Sequence, residues 1–229
     1  MKIRKNKKGF TLAETLIAMG ILGLIAALII PPLMQATAKN VYVAGLKKSY
    51  LIMRTATNEL LANNSGTFQG LVANNDINSL RDKYCTVLTC IKKCVAGSGQ
   101  DCFSTNNKLV NGTTGVWYTP SNHSAMILSN GMMVSINGFD NTCGWSAVTK
   151  GGSSVACGWM LVDVNGSKGP NTLGRDIFVM LMYTNGIVPA GVKDTSYTNW
   201  TNYCNPASGD SQSGIGCAGR VLTQGAINY

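Results

Sequence analysis

The hydrophobic pattern at the start of the chain is that of a long helix. Residues 10–30 form an apolar run in which Glu14 is the only charge, and Pro31 and Pro32 follow directly. At about 1.5 Å per residue, a helix of this length crosses a bilayer core of about 30 Å. The basic residues within 1–9 predict a cytoplasmic N-terminus, because Lys and Arg stay on that side of the membrane. The run is therefore a candidate transmembrane helix, with the rest of the chain outside.

An amphipathic pattern continues over residues 31–64. Its apolar positions recur at the spacing of one helix face. They are Leu46, Tyr50, Met53 and Leu60. The turn residues 63–66 predict the end of the helix, because glycine readily supplies a left-handed cap. We therefore expect one helix from about Phe10 to Ala62, kinked or loosened at the two prolines, where a backbone hydrogen bond is lost.

The hydrophobic period changes to that of strands in the second half of the chain. Two apolar runs within residues 125–136 are joined by Asn130-Gly131, a strong hairpin signal. Further strands are predicted at 159–164 and 176–182. We expect an α+β fold in which the long helix covers one face of an antiparallel sheet of about four strands.

The regions that flank these strands give weaker signals. A short helix is predicted at 77–84. Residues 195–229 are rich in Gly, Ser and Asn, and we expect them to have few apolar residues with which to pack. His123, the single histidine, is expected in a solvated loop before the hairpin.

Cysteine usage indicates an oxidising compartment. All eight cysteines follow the apolar run, and an even number in an exported chain favours disulfides. Zinc is the alternative for the first four, but their spacing contains no C-x-x-C pair. The disulfide candidates are Cys85, Cys90, Cys94, Cys102, Cys143, Cys157, Cys204 and Cys217.

Charge and motifs argue against two classes of function. The net charge is +9, but five of the 19 basic residues precede Phe10, and the remaining 14 face 10 acidic residues. This scattered excess argues against a nucleic-acid partner. The chain has no G-x-S-x-G, P-loop or zincin motif, so we expect no enzyme activity and no certain cofactor.

The N-terminal segment has three interpretations. A secretory signal peptide could be cleaved at the Ala36-Thr37-Ala38 site, but the apolar run exceeds an ordinary signal peptide and Glu14 interrupts it. An uncleaved anchor explains the length but leaves Glu14 without a partner. That is costly, since a carboxylate in hydrocarbon costs about 2.5–3.5 kcal/mol.

The third interpretation comes from the stretch "KKGFTLAETLIAMGILGLIAALIIPP". It resembles the signal of type IV pilins and of the pseudopilins of type II secretion systems. The resemblance implies a leader of residues 1–9, removed by a prepilin peptidase after Gly9, and methylation of the new terminus at Phe10. Glu14 and Pro31 match the glutamate and proline of the family's mature helix. Residues 65–229 would form a pilin-like, cysteine-rich extracytoplasmic domain.

The resemblance also implies partners and a location. The precursor would reside in the bacterial inner membrane and assemble into a periplasmic or surface filament of identical or related subunits on an inner-membrane platform. Within a bundle of such helices, Glu14 can meet the new Phe10 ammonium of a neighbour, so that each buried charge neutralises the other. The pairing favours a staggered, repeating assembly. Pilus, pseudopilus and competence pilin are not distinguished.

Disulfide pairing is partly implied by the same resemblance. Cys204 and Cys217 resemble the loop that closes the sheet region of many type IV pilins. Cys143 and Cys157 look like a second local pair. The other four cysteines would pair among themselves, in one of three ways.

The segment after the third predicted strand has two interpretations. Some pseudopilins bind calcium in a loop of the sheet region, and the resemblance implies such a site at Asp163, Asn165 and Asp176. An EF-hand is excluded, since Lys168 replaces the required glycine. The residue types favour the alternative that Asp163 and Asn165 close Asx turns. For the whole chain, the rival to a filament subunit is a membrane-anchored extracellular binding protein or enzyme.

Overall fold

The computed structural model describes residues 9, 11–96, 102–103, 106–115, 122–145, 156–193 and 195–229. The chain divides into two compact units, Met1–Lys39 and Asn40–Tyr229. Helix α1 (Leu12–Ala62) begins in the first unit and ends in the second. The helix is assigned without a break through Pro31 and Pro32. The predicted kink stays a prediction.

The part of α1 in the first unit is apolar on all sides. Its large side chains, from Leu12 to Met34, are exposed, and none of its most apolar window is buried. A helix that is hydrophobic all round needs an apolar environment to cover it. By length and composition this helix could cross a membrane.

The part of α1 in the second unit buries one face only. Val43, Leu46, Met53 and Leu60 are at most 6% exposed, and they belong to one core cluster with residues of the sheet. The positions between them, such as Lys47 and Lys48, are exposed. The amphipathic pattern thus packs as predicted, and α1 ends at Ala62, before the turn residues.

The described residues form a six-stranded antiparallel sheet in sequential order. The strands are β1 (Cys90–Cys94), β2 (His123–Leu128), β3 (Met133–Phe139), β4 (Ala156–Asp163), β5 (Ile177–Tyr183) and β6 (Gly186–Pro189). Asn130-Gly131 lies in the turn between β2 and β3, as predicted. The expectation of about four strands missed the two edge strands.

Both faces of the sheet are buried. Along β5, Phe178, Met180 and Met182 pack in the cluster that contains α1, whereas Val179 and Leu181 pack in a second cluster on the other face. Strands buried on both sides carry near-continuous apolar runs. This accounts for the sequence of β5.

The remaining helices lie before and after the sheet. They are α2 (Ile77–Val87), α3 (Trp200–Tyr203) and α4 (Cys217–Gln224). Helix α2 is one turn longer than predicted, and Asp76 caps it by accepting the backbone N–H of Ser79 at 3.0 Å.

The expectation that residues 195–229 pack weakly is wrong. Ile215, Val221 and Ile227 are at most 4% exposed. Glycine allows this close packing: a Cβ at Gly219 would clash with the backbone of Gly191 and Val192. Four disulfides brace the fold. They are Cys85–Cys90, Cys94–Cys102, Cys143–Cys157 and Cys204–Cys217.

The prediction for His123 is also wrong. This residue begins β2 and is 3% exposed. Its Nδ1 lies 2.9 Å from the hydroxyl of Ser135, and its Nε2 lies 2.7 Å from the amide of Asn137. Both partners are on β3, so the imidazole belongs to a buried cross-strand hydrogen-bond network.

Candidate functional site

The predicted site residues fall into two separate places. Gly9 and Glu14 lie at the start of α1 in the first unit, whereas Asp163, Asn165 and Asp176 lie around the β4–β5 loop (residues 164–176) in the second. Phe10 lies outside the described residues. Pro31 is within α1.

Thr11 and Glu14 form a capping box at the start of α1. The Glu14 carboxylate accepts hydrogen bonds from the backbone N–H and the hydroxyl of Thr11, both at 2.9 Å. In return, the backbone N–H of Glu14 donates to the hydroxyl of Thr11 at 3.3 Å. This reciprocal pattern satisfies N–H groups that have no partner inside the helix.

The capping box changes the interpretation of Glu14. Sequence reasoning considered only a charged partner from another subunit, although the S/T-x-x-E signal of a capping box is visible in Thr11-Leu12-Ala13-Glu14. The carboxylate has hydrogen-bond donors within its own chain. A negative charge at a helix N-terminus is also favoured by the helix dipole.

The β4–β5 loop brings two buried acids together. Asp163 ends β4 and pairs with Ile177 in the sheet register, directly beside Asp176. Both aspartates are fully buried. Within the described ranges, neither carboxylate forms an ion pair.

Backbone N–H groups hold the two carboxylates in place. Asp176 accepts from Asn171 at 2.8 Å and from Thr172 at 2.7 Å. One oxygen of Asp163 accepts from the backbone N–H of Asn165 at 3.1 Å. The Asx turn predicted at Asp163 is therefore present. The one predicted at Asn165 is wrong, because its Oδ1 accepts no backbone N–H among the described residues and its Nδ2 instead donates to the carbonyl oxygen of Gly169 at 3.2 Å.

Several side-chain oxygens in this loop have no hydrogen-bond partner among the described residues. They are Oδ2 of Asp163, Oδ1 of Asn165 and Oδ1 of Asn171, and all three are buried. Buried polar atoms are normally paired, and an unpaired one costs about 1–3 kcal/mol. A third polar component, a cation or ordered water, would satisfy these atoms.

The pKa values of the two acids also indicate that the site lacks a neutralising charge. Burial is the larger cause and the nearby charge of Asp176 the smaller, and together they raise the pKa of Asp163 to about 8. Burial also raises the pKa of Asp176, against the effect of its backbone hydrogen bonds. In the absence of a cation, the site therefore favours a protonated carboxyl near neutral pH.

The donor set suits a hard cation. Carboxylate and amide oxygens are the ligands that calcium prefers. In the described part of the chain, no three His, Cys, Asp or Glu side chains lie close enough together to hold a metal ion. Calcium here would therefore need the amide oxygens of Asn165 and Asn171 besides the two carboxylates.

The same loop contacts α1 within the second unit. The hydroxyl of Tyr42 lies 3.5 Å from the carbonyl oxygen of Gly169. Val164 packs so closely that a Cβ at Gly45 would lie 2.9 Å from its Cγ2 atom. The residues that follow Asp163 thus contact the N-terminal end of the part of α1 that lies in the second unit.

Comparison with known proteins assigns the N-terminal segment. Residues 4–30 match a family model described as the prokaryotic N-terminal methylation motif. Neither a curated protein nor a solved structure matches the chain. The match includes Gly9, Phe10 and Glu14, three of the four positions on which the resemblance rested, and it ends one residue before the fourth, Pro31. The chain therefore carries the prepilin signal of type IV pilins and pseudopilins at its N-terminus.

Proposed function

We propose that the protein is a structural subunit of a type IV pilus-like or type II secretion filament. The precursor is held in the inner membrane by the apolar part of α1, cut after Gly9 by a prepilin peptidase and methylated at Phe10. The observation that carries the proposal is the match of residues 4–30 to the methylation motif. The exposed apolar side chains of α1 supply the surface for helix packing in the filament.

Glu14 has two roles in this proposal. In the membrane, the bonds from Thr11 reduce the cost of the carboxylate by satisfying its Oε2 oxygen. In the filament, Glu14 pairs with the ammonium of a neighbouring Phe10, which exists only after cleavage. The cut also removes a strongly basic leader, whose charges would be costly to draw through the bilayer.

Processing is tested by co-expression with a prepilin peptidase, followed by N-terminal sequencing and intact mass. The mature chain is expected to begin at N-methylated Phe10. Gly9→Val should block cleavage. Gly20→Ala is the matched control, because a Cβ at Gly20 meets no atom within 4 Å, and it should be processed normally. A mature chain that begins at Met1 or Lys39 would contradict the proposal.

We also propose that the β4–β5 loop binds calcium. The buried oxygens without partners on Asp163, Asn165 and Asn171 support this function. Residues Asp163 and Asp176 would supply the negative charge, and calcium would neutralise both carboxylates. The ion would then stabilise the loop that contacts α1 at Tyr42 and Gly45.

Calcium binding is tested by titration calorimetry on chelator-treated protein. One calcium ion per chain is expected for the wild type and none for Asp163→Asn. Asp140→Asn is the control, because Asp140 accepts its bonds from Thr142 and Gly144 in an exposed turn. Equal calcium binding by wild type and Asp163→Asn would show that the ion binds at another site. A wild type that binds no calcium would contradict the proposal.

A further inference from the structure

A cleft lies on the C-terminal part of the second unit, away from the β4–β5 acids in sequence. Its volume is about 540 Å³, within the range of about 300–1,000 Å³ that is usual for small-molecule sites. One side comes from α3 and the residues after it, including Trp200 and Asn205. The other side comes from α4 and the chain beyond it, including Arg220 and Asn228.

The two sides of the cleft are fixed relative to each other. The Cys204–Cys217 disulfide joins the end of α3 to the start of α4. The indole N–H of Trp200 donates to the carbonyl oxygen of Gly191 at 2.9 Å. A ring held by this bond contributes its apolar surface without losing much conformational entropy when a ligand binds.

Arg220 provides a positive charge that no carboxylate neutralises. Its Nη1 donates to the carbonyl oxygen of Cys204 at 2.6 Å, and its Nε donates to Gln224 at 3.3 Å. The guanidinium lies 4.9 Å from the ring centre of Tyr229. Among the described residues, no carboxylate lies within ion-pair distance of Arg220. The guanidinium is thus positioned by neutral groups and keeps its charge for a ligand.

The remaining polar lining consists of side-chain amides. Asn205, Gln224 and Asn228 are among the lining residues. The Oδ1 oxygen of Asn205 accepts from the backbone N–H of Ala207 at 3.0 Å, and the Oε1 oxygen of Gln224 accepts from Arg220. These two amides therefore keep their NH₂ donors for a ligand. An amide offers two donors and one acceptor oxygen. Neighbouring sugar hydroxyls, which both donate and accept, match such groups. A partly exposed indole suits the apolar face of a sugar ring.

We propose that this cleft binds a saccharide that carries a carboxylate. Trp200 contacts the face of a sugar ring, and the amides bond its hydroxyls. Arg220 pairs with the carboxylate through Nη2, the guanidinium nitrogen that is not used in the bonds to Cys204 and Gln224. The proposal concerns a function of the extracytoplasmic domain beyond filament assembly, and it does not depend on processing at Gly9.

The test measures binding of full-length protein in detergent to two acidic saccharides, trigalacturonic acid and sialyllactose, each beside its neutral methyl ester. The ester keeps every ring and hydroxyl but removes the charge. Wild type is expected to bind at least one acid about tenfold more tightly than its ester, the size of effect expected for a charge-assisted hydrogen bond. The readout is the dissociation constant from titration calorimetry.

Variants assign the preference to the cleft. Arg220→Gln should abolish the difference between acid and ester. Gln224→Glu, at an exposed position, should do so too, because the new carboxylate competes for Arg220 without touching its backbone contact. Arg54→Gln, an exposed arginine on α1, should leave the preference intact. Equal affinity for acid and ester in the wild type, or no binding of either pair, would overturn the proposal.

Discussion

The start of α1 and the β4–β5 loop both place carboxylates among apolar residues, but the two regions satisfy them differently. Glu14 is exposed, and its Oε2 oxygen is bonded by Thr11 of the same helix turn. Asp163 is buried, with one oxygen left unbonded beside a second buried acid. In the first region the carboxylate is satisfied within its own chain, and under the proposed function it gains a second partner on assembly. In the second region, no described residue forms an ion pair with either acid.

The difference separates two kinds of partner. A carboxylate at a helix N-terminus tolerates an alternative partner, because exchanging hydrogen bonds there requires only a change of side-chain rotamer. Two buried acids require either a proton or a cation, since both charges cannot be kept in a site of low polarity. We therefore expect solution conditions to act on the loop, and subunit contacts to act on Glu14.

The largest expected effect is the pH dependence of the metal-free protein. Because the pKa of Asp163 is raised in the folded state to about 8, the folded state binds a proton more tightly than the unfolded state does. Its stability contribution is present below the unfolded value of about 3.9 and is lost as pH rises towards 8. The free energy of unfolding in a chelator should fall across this window by several kcal/mol, at about 1.4 kcal/mol per tenfold change in proton affinity. The melting temperature measured in a chelator should fall with it.

The control for this pH effect is Asp163→Asn, which keeps the acceptor for Asn165 but cannot titrate. Its melting temperature should vary much less over the same pH range. A wild-type melting temperature that does not change between pH 5 and pH 8 in a chelator would show that the two acids are not buried together as described.

Calcium should produce the next largest effect, with the opposite dependence on pH. A ligand that binds only the folded state at a hundredfold excess over its dissociation constant adds about 2.7 kcal/mol to the free energy of unfolding. The gain should increase from pH 5 to pH 8, because calcium competes with the proton on Asp163. Melting with and without calcium at both pH values checks this, and a gain that is larger at pH 5 would contradict it.

Gly45→Ala tests the contact between the loop and α1. A Cβ at this position would lie 2.9 and 3.0 Å from two atoms of Val164, and overpacking typically costs about 1–3 kcal/mol. Alanine favours the helix by about 1 kcal/mol, so the expected net loss of stability is about 1 kcal/mol, with weaker calcium binding. Gly209→Ala, where a Cβ meets no atom within 4 Å, is the control. Unchanged calcium affinity in Gly45→Ala would show that the contact between the loop and α1 does not affect calcium binding.

The smallest expected effect concerns the capping box. Thr11→Val removes the hydroxyl that bonds Glu14, and loss of an N-cap typically costs about 1 kcal/mol. Amide exchange at Glu14, measured in detergent by NMR, should become about fivefold faster. Thr15→Val is the control, because the hydroxyl of Thr15 bonds only carbonyl oxygens of the preceding turn. Equal exchange in both variants would argue against the capping box.

The sequence predicted the elements with strong local patterns. The apolar stripe of α1, the Asn130-Gly131 hairpin and the apolar strands β4 and β5 all lie where periodicity placed them. The edge strands β1 and β6 were missed because "CIKKC" and "GIVP" are short and show no clear alternation. Their strand character comes from pairing with β2 and β5, which no local pattern encodes.

The candidate site shows the same limit. Asp163 and Asp176 were singled out by residue type, but their complete burial depends on the packing of the loop within the second unit. The error at His123 has a similar cause. Ser135 and Asn137 on the next strand form hydrogen bonds with both ring nitrogens, so the imidazole can be buried without an unpaired polar atom. The capping box, by contrast, is encoded entirely in residues 11–14 and was readable in the sequence.

Filament assembly through Glu14 is the central claim, and one measurement tests it most directly. Wild type and Glu14→Ala are expressed in the native host, and the amount of this protein in the sheared or purified filament fraction is compared with that left in the membrane. We predict that wild type enters filaments and that Glu14→Ala is processed after Gly9 but stays in the membrane. Recovery of Glu14→Ala in filaments at the wild-type level would contradict the account.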